Sequence, residues 1–170
     1  KYGLNEKLGK TVEDPKKIKM HKVEIKNLKE DTLYHYKVVS GKDGSKNYTF
    51  KTAFFSEKPF SFAIFSDTQL NTDMMEKWDG LLKQKKLDFI VHCGDIVDDG
   101  AYDEFINAFF TPWKDILANT VVFNVMGNHD VEDHDNKKKA NPQTFITLFA
   151  PPDNILYYSF NYGNAHFVIL

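Results

Sequence analysis

With 170 residues, the chain has room for one ordinary domain, or for one domain and part of another. Its 42% hydrophobic and 15% aromatic content gives ample core material, and no apolar stretch reaches the ~20 residues that span a bilayer. A net charge of −2 argues against nonspecific nucleic-acid binding, which requires a basic surface, and a bound anion would need metal cations to offset local acidity.

The first fifty residues are Lys-rich and read as antiparallel strands. Val23 and Ile25 alternate with charged neighbours, as do Tyr34, Tyr36 and Val38. Residues 27–32 form a polar turn between these two strands; Lys42-Asp43-Gly44-Ser45 forms a second turn, leading to a strand over 48–52. The composition changes across residues 53–59, and from there strands and helices alternate. Apolar runs at 60–65, 87–93 and 121–126 read as strands. Met75, Trp78, Leu81 and Leu82 predict an amphipathic helix over 72–83, and 102–117 reads as a helical stretch broken by Pro112. Such strand–helix–strand units imply a largely parallel sheet covered by helices. A polar loop follows over 132–141, with His134 and Lys137-Lys138-Lys139. Residues 145–149 read as a short helix. The stretches 157–160 and 165–170 form a hairpin-like pair around Asn161-Tyr162-Gly163-Asn164. The chain opens at Lys1 in what reads as mid-domain, so a leader is expected to have been removed or never included. The single cysteine, Cys93, cannot form an internal disulfide and reads as a small buried thiol.

Each of the three strands is followed by an acidic motif: Asp67-Thr68-Gln69, Gly94-Asp95-Ile96-Val97-Asp98 and Gly127-Asn128-His129-Asp130. Asp95 lies 28 residues after Asp67, and Asn128 lies 33 after Asp95; each interval fits one strand–helix–strand repeat of about 30 residues. The carboxyl ends of parallel strands open on one crevice, so the motifs are expected to meet there. A crevice holding Asp67, Asp95, Asp98 and Asp130 repels itself unless cations fill it. Asp99 reads as a turn residue. Asp130 either caps the following segment or stands behind a metal ligand. His92 packs into the core or stands beside the site, His166 is packed or on the surface, and His21 and His35 are on the surface. Trp78, Trp113 and Phe109-Phe110 read as core.

Gly94-Asp95-Ile96-Val97-Asp98-Asp99-Gly100 and Gly127-Asn128-His129-Asp130 resemble the second and third signatures of the calcineurin-like metallophosphoesterases, which include the purple acid phosphatases. The resemblance covers residues 60–170. It implies an α/β fold, a sandwich of mixed sheets flanked by helices, of which 60–170 is the N-terminal half. Leu28, Thr32 and Tyr34 resemble the tyrosine corner of a fibronectin type III or immunoglobulin-like sandwich, with Glu30 where Pro is usual. Residues 1–53 are therefore expected to be the last strands of such a domain, with 54–59 a linker.

The resemblance implies two divalent metal ions (Zn, Mn or Fe(II)) and a small phosphate-ester substrate. Asp95 would bridge the metals, Asp67 would be a terminal ligand of one, and Asn128 would bind the other through its amide oxygen. His129 would donate a proton, with Asp98 holding its other ring nitrogen. Gln69 stands where many members have a His ligand, and Asp98 where purple acid phosphatases have a metal-binding Tyr. His134 is a candidate substrate contact. The family takes further His ligands from two later motifs, which are not found here after Met126. The chain alone is accordingly expected to hold metal poorly and turn over little. The resemblance also implies export to the periplasm, cell surface or medium. The alternative reading is a non-catalytic secreted binding or adhesion module on a degenerate phosphoesterase fold; two further His-bearing motifs would favour the enzyme.

Overall fold

The computed structural model describes residues 1–69, 71–131 and 141–170. Near the N-terminus are the short strands β1 (Tyr2–Gly3), β2 (Leu33–Tyr36), β3 (Val39–Ser40), β4 (Asp43–Gly44) and β5 (Tyr48–Lys51). Strands β1, β2 and β5 form an antiparallel sheet in that order, and β3 pairs with β4 in a hairpin of its own. Tyr34 is buried, stacks on Phe50 across the sheet with ring centroids 5.5 Å apart, and accepts the Lys29 N–H at its hydroxyl, 3.0 Å away. That bond ties the turn before β2 to the sheet, as a tyrosine corner does. Two expectations need correction. No strand forms at Val23 and Ile25, because no neighbouring strand offers a ladder there; Val23 stays 48% exposed. The second turn falls earlier than expected, at Gly41-Lys42, where Gly41 has φ +58° and Asp43-Gly44 already pair with β3.

The next part alternates strand and helix: β6 (Phe62–Phe65), α1 (Thr72–Leu82), β7 (Phe89–His92), α2 (Tyr102–Glu104), a π-helical turn (Phe105–Phe110), α3 (Lys114–Leu117) and β8 (Val121–Asn124). The three strands pair in parallel in the order β6-β7-β8, so all three carboxyl ends emerge at one edge. Asn71 begins α1 by accepting the Met74 N–H on its side chain at 3.2 Å. The second helical stretch breaks next to Pro112, which has no N–H to continue the ladder. Met75, Ile90, Phe105, Phe109 and Trp113 are fully buried between sheet and helices, and the Trp113 indole N–H donates to the Met75 carbonyl at 3.0 Å.

After the last parallel strand come α4 (Gln143–Phe149), a 3₁₀ turn (Pro152–Asn154), β9 (Tyr158–Tyr162) and β10 (Ala165–Ile169). Phe145 and Leu148 of α4 join the helix-side core. Strands β9 and β10 form an antiparallel hairpin whose Tyr162 and Ile169 pack with Phe89 and Val91 on the other face of the parallel sheet. The parallel sheet is therefore covered by helices on one face and a second sheet on the other. Phe54 is 2% exposed within this second cluster, and its carbonyl accepts the Gly163 N–H at 2.8 Å. Asp88 joins the two parts of the chain: it pairs with Lys51 at 3.2 Å and accepts the Ser61 N–H at 3.0 Å and the Tyr162 hydroxyl at 3.1 Å.

Candidate metal centre

Strands β6, β7 and β8 end in loops that are stitched to one another. The Asp67 N–H donates to the Gly94 carbonyl and the Gln69 N–H to the Asp95 carbonyl, both at 3.1 Å. The His129 N–H donates to Asp95 Oδ1, also at 3.1 Å. Asp67, Gln69 and Asp95 all adopt left-handed backbone, with φ of +53°, +43° and +51°. Side chains other than Gly pay roughly 1–2 kcal/mol for that conformation. Three such residues fall in two touching loops, a concentration of backbone strain of the kind that clusters at functional sites.

Gly94 and Gly127 set how close the loops come. A Cβ on Gly94 would lie 2.8 Å from the Gly127 nitrogen, and one on Gly127 would lie 2.1 Å from Asp95 Oδ1. Only glycine permits this approach. Beneath the loops lies Asp130, fully buried, which accepts three backbone N–H groups: Ile96 at 2.8 Å, Val97 at 3.2 Å and Gly127 at 2.8 Å. Burial raises its carboxyl above the usual range, partly offset by those three donors. Asp130 therefore holds the Asp95 loop to the His129 loop from below.

His129 Nδ1 lies 2.8 Å from the main-chain carbonyl of Asp98 and 3.8 Å from its carboxylate. A carbonyl only accepts, so Nδ1 carries the proton. The Asp98 backbone is thus the closer partner, with the carboxylate 3.8 Å away. The loop bearing Asp98 is held by Glu104, whose Oε2 accepts the N–H groups of Asp98 at 3.2 Å and Asp99 at 2.8 Å. Sequence reasoning missed Glu104; the available signal was an acidic residue in the first turn of a helix just after the second motif. Asn128 lies exposed between Gly127 and His129, and Gln69 is half-buried beside Asp95. His134 lies outside the described residues. His21 is exposed and paired with Asp14, and His166 is exposed with Nδ1 2.6 Å from Asn161 Oδ1. Cys93 is exposed, contrary to expectation. It lies just past the end of β7, outside the cluster that buries Phe89 and Val91.

The donor set suits hard or borderline divalent cations: carboxylate oxygens from Asp67 and Asp95 and amide oxygens from Asn128 and Gln69. Among the described residues, neither Asp67 nor Asp95 has a Lys or Arg ion pair. His92, which feels both carboxylates, is neutral near pH 7 because burial pushes it down to about 4. Among the described residues, the two carboxylates therefore have no cationic counter-charge. No group of three His, Cys, Asp or Glu side chains placed to hold a metal occurs among the described residues. Two carboxylates and two amides supply only part of the coordination that two cations require.

His92 gives stability a definite pH dependence. The unfolded imidazole titrates near 6.5 and the folded one about 4, so between those values the unfolded state binds more protons. The contribution is fully present above pH 6.5 and is lost as pH falls to 4, up to about 3 kcal/mol in all. Urea unfolding at stepped pH should show that loss, and His92→Gln should flatten it. An unchanged slope in the variant would rule His92 out as its source.

A parallel α/β sheet presenting acidic loops at one edge, with a second sheet against its other face, is the architecture of metal-dependent phosphoesterases. The chain belongs to the calcineurin-like phosphoesterase family, whose model matches residues 60–168. Two solved structures share the fold. A purple acid phosphatase, PPD1, from yellow lupin (Lupinus luteus) seeds superposes with a TM-score of 0.66 at 19% identity, over 85% of this chain and 31% of that one. PhoD superposes with a TM-score of 0.59 at 17% identity, over 99% of this chain and 44% of PhoD. The chain thus spans less than half the length of either. No curated protein sequence matches it. Among the described residues, no helix is long and apolar enough to cross a membrane.

Proposed function

We propose that the chain is part of a phosphoesterase that hydrolyses small phosphate esters at a pair of divalent metal ions. Residues 60–170 would be the N-terminal half of its catalytic domain, 1–53 the end of a fibronectin-like domain and 54–59 the join. One observation carries the reading: the loops after all three parallel strands are hydrogen-bonded together at Asp95, and among the described residues neither Asp67 nor Asp95 pairs with a Lys or Arg. Asp95 would bridge the cations, with Asp67 on one and Asn128 on the other; Gln69 would complete the first through its carbonyl or a water. When bound, the cations supply Lewis acidity and neutralise phosphoryl charge, and they ease deprotonation of the attacking water.

The chain's own residues would do the rest. With Nδ1–H fixed on the Asp98 carbonyl, a protonated His129 presents its Nε2 proton to the departing oxygen, and the Asp98 carboxylate at 3.8 Å steadies that charge. Glu104 keeps the Asp98 loop in place. Strand-end geometry and the close glycine contact hold the ligands while charge develops on phosphorus. Export to the cell exterior or periplasm is part of the same reading.

The test is metal analysis combined with hydrolysis of a chromogenic aryl phosphate by the full-length protein. His129→Ala should lose about 100-fold or more in rate while retaining its metal. A wild type that carries no divalent metal and cleaves no ester would instead mark the fold as a binding module.

A further inference from the structure

His92 and Asn124 stand opposite each other in the register of β7 and β8, and Phe65 of β6 stands opposite His92 on the other side. Ile90 and Val122, two residues earlier on the same strands, both enter the helix-side core, so His92 and Asn124 point to that side too. His92 is fully buried and lies edge-on to Phe109. Its Nε2 is 3.0 Å from the hydroxyl of Thr68, itself 1% exposed. Two buried polar atoms here lack a partner among the described residues: His92 Nδ1 and Asn124 Oδ1. They are complementary, since an amide oxygen only accepts and a neutral imidazole can carry its hydrogen on Nδ1.

We propose that Thr68, His92 and Asn124 form one directed hydrogen-bond chain across the floor of the site, and that these positioning residues set the Asp67 loop against the Asp95 loop. The Thr68 hydroxyl donates to His92 Nε2, the shorter of its two contacts; the other, to the Ile96 carbonyl, is 3.3 Å. His92 Nδ1–H then donates toward Asn124 Oδ1, closing by a small side-chain movement or through one buried water. The Asn124 amide N–H completes the run on the Val122 carbonyl at 3.5 Å. With the Nε2–H tautomer the Thr68 hydroxyl would instead donate to the Ile96 carbonyl and Asn124 Oδ1 would have no donor, so a single hydrogen position settles the direction of the chain. Thr68 lies between Asp67 and Gln69, so the chain fastens that loop to the two neighbouring strands.

The experiment is nitrogen-15 NMR of His92 in the full-length protein, paired with calorimetric titration of Zn²⁺. The expected wild-type result is the Nδ1–H tautomer. Asn124→Leu should erode that tautomeric preference. Thr68→Val should shift the Nε2 resonance and weaken Zn²⁺ binding by about tenfold, and Thr68→Ser should restore both. An Nε2–H tautomer in the wild type, or Thr68→Val leaving resonance and affinity unchanged, would overturn the proposal. The tautomer arm needs neither metal nor a variant. The titration arm rests on Asp67 and Asp95 being ligands, so absence of Zn²⁺ binding in the wild type would count against the proposed function and leave the tautomer result standing.

Discussion

Asp130→Ala is expected to cost about 4 kcal/mol of folding stability. Three backbone N–H groups lose their common acceptor, and an unsatisfied buried donor costs ~1–3 kcal/mol. Water entering the space left by the carboxylate should recover part of that sum. Asp130→Asn keeps an oxygen for Ile96 and Val97 but turns an amide NH₂ against the Gly127 N–H, so roughly half the loss should remain. Urea unfolding followed by the fluorescence of buried Trp113 measures both variants. A cost under about 1 kcal/mol for the alanine variant would show that the loops hold together without Asp130. The same variant should bind divalent metal more weakly, because Asp95 and Asn128 ride on the two loops it releases.

Gly127→Ala should be as damaging, for a different reason. Its methyl group would lie 2.1 Å from Asp95 Oδ1 and 2.3 Å from the Asp95 backbone nitrogen. Real contacts at that distance do not exist, so one loop must move and the Asp95 carboxylate must turn away. Overpacking against side chains costs ~1–3 kcal/mol; against backbone it should reach about 4 kcal/mol. Gly80→Ala is the matched control, since a Cβ there meets nothing within 4 Å and Gly80 lies inside α1. That change should be neutral or stabilising by up to about 1 kcal/mol. Denaturant titration of the pair separates a steric effect at the site from a general dislike of alanine for glycine. If both variants behave alike, the close approach of the loops has no energetic meaning.

The parallel strands were legible because buried strands are short unbroken apolar runs, and Phe89–His92 is buried at every position. Helix α1 was legible from its period. The order of the motifs then placed three acidic loops at one sheet edge, since parallel connections leave all the carboxyl ends together. Val23 and Ile25 misled because alternation records a face, and a face makes a strand only when a neighbour offers hydrogen bonds. Cys93 misled because apolar context along the chain says nothing about where the cover on that face stops.

Residue types and spacing gave the α/β character and named the candidate ligands, and the motifs carried the resemblance to the family, all of which depend on local pattern and chain order. Packing alone assigned Asp130 its place under the loops, drew Glu104 to Asp98, and set His129 on a carbonyl rather than on the carboxylate beside it. Those relations join residues 6 to 34 positions apart, and their worth lies in distance and burial. A hydrogen bond is decided by a few tenths of an ångström, a scale that folding sets and composition does not record.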